Sequence, residues 1–240
     1  NKPARFPELA RTNAVRRGRD KQALEAMIEL FNSIKDQEDA KKLLTIALNL
    51  VRKLPAQKLD LNLSQGVLLL PKQVRKMLRE NIEGEVLTFV TGLIAYSIFD
   101  PNAFRIGLHP LNQSGASSKE ISDIDVWFEA ANKIVSCFEV KDKDFSVYDF
   151  EHARDKSYRS GVESFTFVSR VSWINRFAGK EPEKFREYRR QIVSIEGLMR
   201  TFDFSFLNLG QDGIQRFTDD FMKGVRPKPE TVRLISETLA

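Results

Sequence analysis

The 240-residue chain carries 38 Lys plus Arg against 33 Asp plus Glu, a net charge of +5, with 42% hydrophobic residues, which fits one large domain or two small ones with ample chain for a core. Its longest apolar runs, such as residues 67–70, fall far short of the roughly 18 residues that cross a bilayer, and no apolar leader opens it, so a soluble cytoplasmic protein is expected. One cysteine, Cys137, excludes an internal disulfide, and with only His109 and His152 beside it the usual four-ligand zinc site is excluded as well.

The charge is uneven, with 17 Lys plus Arg against 9 acids in residues 1–80 and 21 against 24 in residues 81–240. Arg16, Arg17, Arg19 and Lys21 form one basic knot, Lys72, Arg75, Lys76 and Arg79 a second, and Lys184, Arg186, Arg189 and Arg190 a third. Such clusters suit polyanions, although each is also what the solvated face of a helix looks like.

Between residues 20 and 52, Leu24, Met27, Ile28, Phe31, Leu43, Leu44, Ala47, Leu48 and Val51 recur at spacings of three and four, which predicts two helices broken near residues 35–38. Residues 59–70 read as a loop or a short extended piece. Pro71 sits where a helix can begin, and the apolar residues from Met77 to Ile94 predict a helix continuing to about Ile98, with Gly84 and Gly92 as weak points. Residues 108–120 are polar and rich in hydrogen-bonding side chains, as in an ordered functional loop or an ordinary surface loop. Residues 121–129 then alternate, with Ile121, Asp123, Asp125, Trp127 and Glu129 on one side; this predicts a strand, and a turn at 130–133 with the apolar run 134–140 completes a hairpin. Asp149 can cap a helix over residues 150–160 that Gly161 ends, and residues 163–169 form a further strand, so a parallel pair joined by a crossover helix is expected. After Trp173 the pattern returns to phenylalanine-rich helices, the last beginning after Pro229. Cys137 and most of the phenylalanines read as core.

A strand places residues i and i+2 on one face, so Asp123 and Asp125 point the same way, as do Glu139 and Lys141 on the neighbouring strand. Three carboxylates and a lysine can converge at the end of an otherwise apolar strand. Carboxylate oxygens suit a hard divalent cation such as Mg2+, and a lysine beside it can orient or deprotonate a water or stabilise a developing anion. Asp125, Glu139 and Lys141 fit those roles in phosphodiester hydrolysis.

An aspartate, an apolar strand, a turn and then an apolar residue followed by Glu139-Val140-Lys141 resemble the PD-(D/E)XK nuclease superfamily. Locally, residues 109–125, the run Glu139-Val140-Lys141-Asp142-Lys143-Asp144-Phe145 and Asp149-Phe150-Glu151-His152-Ala153 are similar to bacterial type II restriction endonucleases, those of the SacI type among them. The resemblance implies an α/β (α+β) fold, with a restriction-endonuclease-like mixed sheet core flanked by helices. Its order of helix, three-strand meander, crossover helix and fourth strand fits residues 71–169, provided that a further strand lies at 102–108. The chain would divide into a basic helical region at 1–70, a nuclease core at 71–175 and a helical region at 176–240 packed on that core. Metal ligation by Asp125 and Glu139 is implied, with Asp123 as an alternative to Asp125 that spacing leaves open, and with an acid from the preceding helix, Glu85 or Glu83. Lys141 matches the superfamily's lysine, whereas Ser122 departs from the proline that precedes the aspartate there, which lowers the motif's specificity.

The implied activity is Mg2+-dependent cleavage of double-stranded DNA, with Mn2+ as substitute, by a site-specific type II enzyme of the bacterial or archaeal cytoplasm acting as a homodimer. A repair or recombination nuclease of the same fold and a non-catalytic DNA-binding domain on that scaffold are the alternatives. Asn112, Gln113, Ser114, Ser117, Ser118 and Lys119 have the donors and acceptors to read base edges or to hold the backbone. Lys143 and, on one face of the following helix, His152, Lys156 and Arg159 can meet phosphates or simply form a wet face.

Overall fold

The computed structural model of the protein describes residues 19–53, 59, 61, 70–80, 82, 84–110, 120–170, 191–203 and 205–239. The chain divides into two compact units, Asn1–Pro55 and Ala56–Ala240. In the first, helices α1 (Arg19–Ser33) and α2 (Gln37–Lys53) flank the break expected near residues 35–38. The break has a local cause: Asp36 Oδ1 accepts the Asp39 amide at 2.8 Å, satisfying one of the amides that the first turn of α2 leaves free. Leu24 and Ile28 are buried, while Met27, Leu30, Phe31, Leu44 and Ile46 are exposed. Arg16 and Arg17 of the first basic knot, and all four residues of the third, lie outside the described residues.

The second unit is built on a five-stranded mixed sheet in the order β1 (Phe104–Leu108), β2 (Ile124–Phe128), β3 (Lys133–Lys141), β4 (Ser164–Ser169) and β5 (Ile192–Ser194). The first three strands are antiparallel, and the β3–β4 and β4–β5 pairs are parallel. The strand on which the expected order depended is β1. The three residues of β5 are too few to leave a period in the sequence, and no strand was expected there. Six helices accompany the sheet among the described residues: α3 (Leu70–Met77), α4 (Glu85–Ile98), α5 (Val147–Arg159), α6 (Ile195–Phe202), α7 (Gly210–Gly224) and α8 (Pro229–Leu239).

Two local expectations are corrected. The single helix expected from Pro71 to Ile98 is two: α3 ends at Met77, and α4 begins only after Gly84, which takes φ 84°, a left-handed conformation that L side chains seldom adopt. Gly92 does not break α4; the helix packs so closely there that a Cβ would meet the Phe217 ring at 2.9 Å and Leu108 at 3.0 Å. Likewise α5 starts at Val147, ahead of Asp149. Ser146 is the N-cap and Asp149 the third residue of a capping box, each side chain accepting the other's backbone N–H. Those bonds from Ser146 hold the Asp149 carboxyl below its ordinary range.

The sheet separates two cores. On one face Ile124, Val126, Phe138 and Val140 pack with α3, α4 and α6 to α8, where the Phe89 ring lies 5.0 Å from those of both Phe217 and Phe221. On the other, Cys137, Phe165 and Phe167 pack against Phe150 and Ala153 of α5. Cys137 is a buried free thiol, as its alternation on an apolar strand required. Among the described residues no helix is long and apolar enough to cross a membrane.

Gly224 closes α7 against the end of β1, where a Cβ would stand 2.4 Å from the Leu108 carbonyl oxygen. A backbone carbonyl fixed in a sheet edge yields far less than a side chain. Gly224→Ala should therefore destabilise the protein by about 1–3 kcal/mol, seen as a lower urea midpoint at unchanged slope. Gly213→Ala, whose new Cβ meets only the side chain of Leu209, should lose far less.

Candidate active site at the ends of β2 and β3

Ile124 is the first residue of β2 and pairs with Phe138, so Asp123 stands just outside the strand, level with Glu139. Its Oδ2 accepts the Val140 amide at 2.8 Å, and its carbonyl accepts the His109 amide at 3.0 Å. Glu139 and Lys141 alternate onto one face of β3, with Oε1 and Nζ 3.3 Å apart and the two side chains 18% and 37% exposed. Asp123 keeps a partial opening to solvent but is crowded on most sides. Burial first, and then the neighbouring Glu139 carboxylate, push its pKa up to about 7, against the opposing pull of the Val140 N–H and of Lys141 and His109. Two acids and a lysine therefore meet at the end of β3, and one of the acids is reluctant to ionise without further positive charge.

Asp125, expected as the leading metal ligand, is engaged otherwise. It is 1% exposed. Its Oδ1 accepts the Ser122 amide at 3.2 Å, and its Oδ2 accepts the Ile121 amide at 3.1 Å and lies 3.0 Å from His109 Nε2. The other ring nitrogen of His109 is 3.5 Å from Glu120 Oε1. This clasp joins the two ends of the polar loop and fixes the backbone that delivers Asp123. Alternation puts both aspartates on one face; what separates them is where the strand begins.

Glu85, expected to add a helix-borne acid, faces another helix instead. Buried at the start of α4, its Oε2 accepts the Lys228 amide at 2.9 Å and the Thr231 hydroxyl at 2.5 Å, and so caps α8. That is a favourable place for an acid, since the N-terminal end of a helix carries partial positive charge. Glu83 lies outside the described residues. The Asp142 side chain is nearly inaccessible: it accepts the Gly84 amide at 3.0 Å and pairs with Arg170, which also donates to the carbonyls of Leu78 and Glu80. No spacing in the sequence announces this tie between β3 and the turns around α3 and α4.

Among the described residues no group of three or more His, Cys, Asp and Glu is placed to hold a metal. Asp123 and Glu139 offer oxygen ligands only. Such a donor pair fits a hard cation that keeps several of its waters and binds through one or two carboxylates, as Mg2+ does.

Asn112, Gln113, Ser114, Ser117, Ser118 and Lys119, the candidate DNA-reading residues, lie outside the described residues. Lys143 is exposed just beyond β3. His152, Lys156 and Arg159 line a groove of about 530 Å³ on α5 with Tyr148, Glu151 and Asp155, while Phe150, Ala153 and Ser157 are buried on the opposite face, as the helical spacing required. Tyr148, 72% exposed, stacks on His152 with centroids 6.0 Å apart. The two acids make this groove mixed in charge rather than uniformly basic.

An acid pair and a lysine thus stand at the end of the central strands of a mixed sheet, and comparison with known families gives the chain a class. Residues 64–170 match the SacI restriction endonuclease C-terminal domain and residues 1–55 the SacI restriction endonuclease N-terminal domain, together about two thirds of the chain. The chain belongs to the SacI restriction endonuclease family, which makes it a nuclease of a restriction system with DNA as its substrate. No curated protein sequence matches it.

The two aspartates should respond oppositely to substitution. Asp125→Ala leaves the buried amides of Ile121 and Ser122 without acceptors, at about 1–3 kcal/mol each, so the urea midpoint should fall at every pH. Asp123 has a folded pKa raised above its ordinary value of 3.8. Its contribution to stability is therefore fully present below about pH 4 and lost as the pH rises through about 7. Asp123→Asn should match wild type near pH 4 and melt at a higher temperature at pH 8, without added metal.

Proposed function

We propose that the protein is a site-specific type II restriction endonuclease of the PD-(D/E)XK kind, hydrolysing double-stranded DNA with Mg2+, or Mn2+ in its place, held by Asp123 and Glu139. The observation that carries this reading is the pairing of a reluctantly ionised Asp123 with Glu139, beside Lys141, in a chain of a restriction endonuclease family. Like-charged acids at one place are a cost that a bound cation removes. When bound, the cation neutralises charge on the scissile phosphate and lowers the pKa of an attacking water.

The chain's own residues supply the rest. Glu139 holds the Lys141 ammonium at the end of β3, where it orients the attacking water and offsets the charge that develops on the phosphate oxygens. The Val140 amide fixes one oxygen of Asp123, and the Asp125 clasp fixes the backbone behind it. Residues 112–114 and 117–119 are the proposed readers of base edges, and Lys143, His152, Lys156 and Arg159 the proposed backbone contacts. A palindromic site calls for a twofold homodimer with one such site on each strand.

Cleavage of plasmid DNA should require Mg2+ or Mn2+ and cease in excess EDTA; digestion undiminished by EDTA would remove the metal from the mechanism. Asp123→Asn, Glu139→Gln and Lys141→Ala should each lower the cleavage rate by at least about 10²-fold while leaving the cooperative melting transition intact.

A cation at Asp123 competes with a proton. The increase in melting temperature produced by Mg2+ should therefore grow as the pH rises from 6 to 8, and disappear in Asp123→Asn. An Mg2+ effect that is flat over that range, or that survives the substitution, would place the cation elsewhere.

A further inference from the structure

We propose that the arginine-lined cleft between α3 and α6 is a second phosphate site, one that takes a backbone phosphodiester of the bound DNA away from the bond being cut. The proposal rests on the function argued above. The cleft has a volume of about 470 Å³, with Arg75, Arg79, Arg170 and Arg200 around an apolar floor that includes Ile195 and Met199. Two of these guanidiniums are already neutralised, Arg75 by Asp203 and Arg170 by Asp142. Arg170 is further fixed by the carbonyls of Leu78 and Glu80, so it forms a rigid wall.

Arg79 and Arg200 differ: both are exposed, and among the described residues neither is paired with an acid. Glu196 is the one acid that lines the cleft with them, which leaves an excess of positive charge over an apolar floor. A guanidinium presents a planar fork of donors that matches two oxygens of a phosphate, and the bond gains strength where water is partly excluded.

Position ties the cleft to the active site. Lys141 pairs with Ser169 across the parallel strands, and the next residue, Arg170, donates its amide to the Lys141 carbonyl at 3.4 Å. The cleft wall and the acid pair thus share one end of the sheet. The helices of the cleft pack on the face opposite α5, so a duplex lying across that end can meet both. The basic knot at residues 72–79 thereby acquires a role that its sequence alone left open.

The test is duplex binding at several salt concentrations, without divalent cation, for wild type, the double variant Arg79→Gln with Arg200→Gln, and the double variant Arg79→Lys with Arg200→Lys. Melting curves with added inorganic phosphate are taken on the same three proteins, and also establish that each is folded. Loss of one neutralised phosphate should make the slope of log K against log salt shallower by about 0.9. The Gln variant should show that change equally on DNA with and without a cleavage site, because backbone contacts carry no sequence information, and the Lys variant should recover most of the slope. An unchanged slope in the Gln variant, with wild type binding and cutting normally, overturns this site while leaving the proposed function standing. If in that case phosphate stabilises wild type and not the Gln variant, the cleft serves a free anion and the DNA assignment is equally overturned. Wild-type protein that neither binds nor cuts DNA overturns the proposed function and this site with it.

Discussion

The buried carboxylate of Asp125 is the constraint around which the active end of the sheet is arranged. A buried carboxyl group is tolerated only where its oxygens have partners, and here two backbone amides donate to it while His109 Nε2 lies 3.0 Å away. Because those amides belong to Ile121 and Ser122, the bonds dictate how the chain enters β2, and the entry dictates where Asp123 ends. His109 brings the other flank of the loop to the same carboxylate. A polar segment whose function would be contact with DNA is thus anchored at both flanks by one side chain that never needs to touch the substrate.

The neighbouring acid obeys the reverse logic. Asp123 has a single amide donor and a carboxylate for company, so its charged form is poorly supported by the protein alone. Two aspartates two residues apart thus differ in kind: one is satisfied internally and gives rigidity, while the other has little support for its charge. The second costs stability at neutral pH, which is commonly the case where function requires an arrangement that folding alone would not favour.

Much of this was legible in the sequence, for identifiable reasons. Period-two alternation over residues 121–140 gave the hairpin, an apolar strand on each side of a polar helix gave the parallel pair, and the fixed spacing of Glu139 and Lys141 put them on one face. What escaped were features decided by tertiary contacts. Which of Asp123 and Asp125 is wholly enclosed by bonds to the loop turns on where β2 starts, which alternation does not report. Glu85 sits on a helix as expected, but its partners lie 143 and 146 residues further along the chain. Asp142 and Arg170 carry no mutual signal, being adjacent only because β3 and β4 run parallel. The capping of α5 by Ser146 rather than Asp149 rests on a reciprocal pair of bonds between the two residues, which no local period reports.

The engagement of Glu85 by α8 also bears on the order in which the molecule can be completed. During synthesis the β2–β3 hairpin, with Asp123, Glu139 and Lys141, is made from contacts close in sequence and can form early. The central helix α4 keeps the Glu85 carboxylate without its donors until Lys228 and Thr231 have been made, 143 and 146 residues later in the chain. The candidate-site side chains are therefore available as a local unit well before their scaffold is closed. A nascent chain that has passed these strands still lacks the contact that locks the helix behind them, which ties the rigidity of the candidate site to the arrival of α8 rather than to the site's own residues.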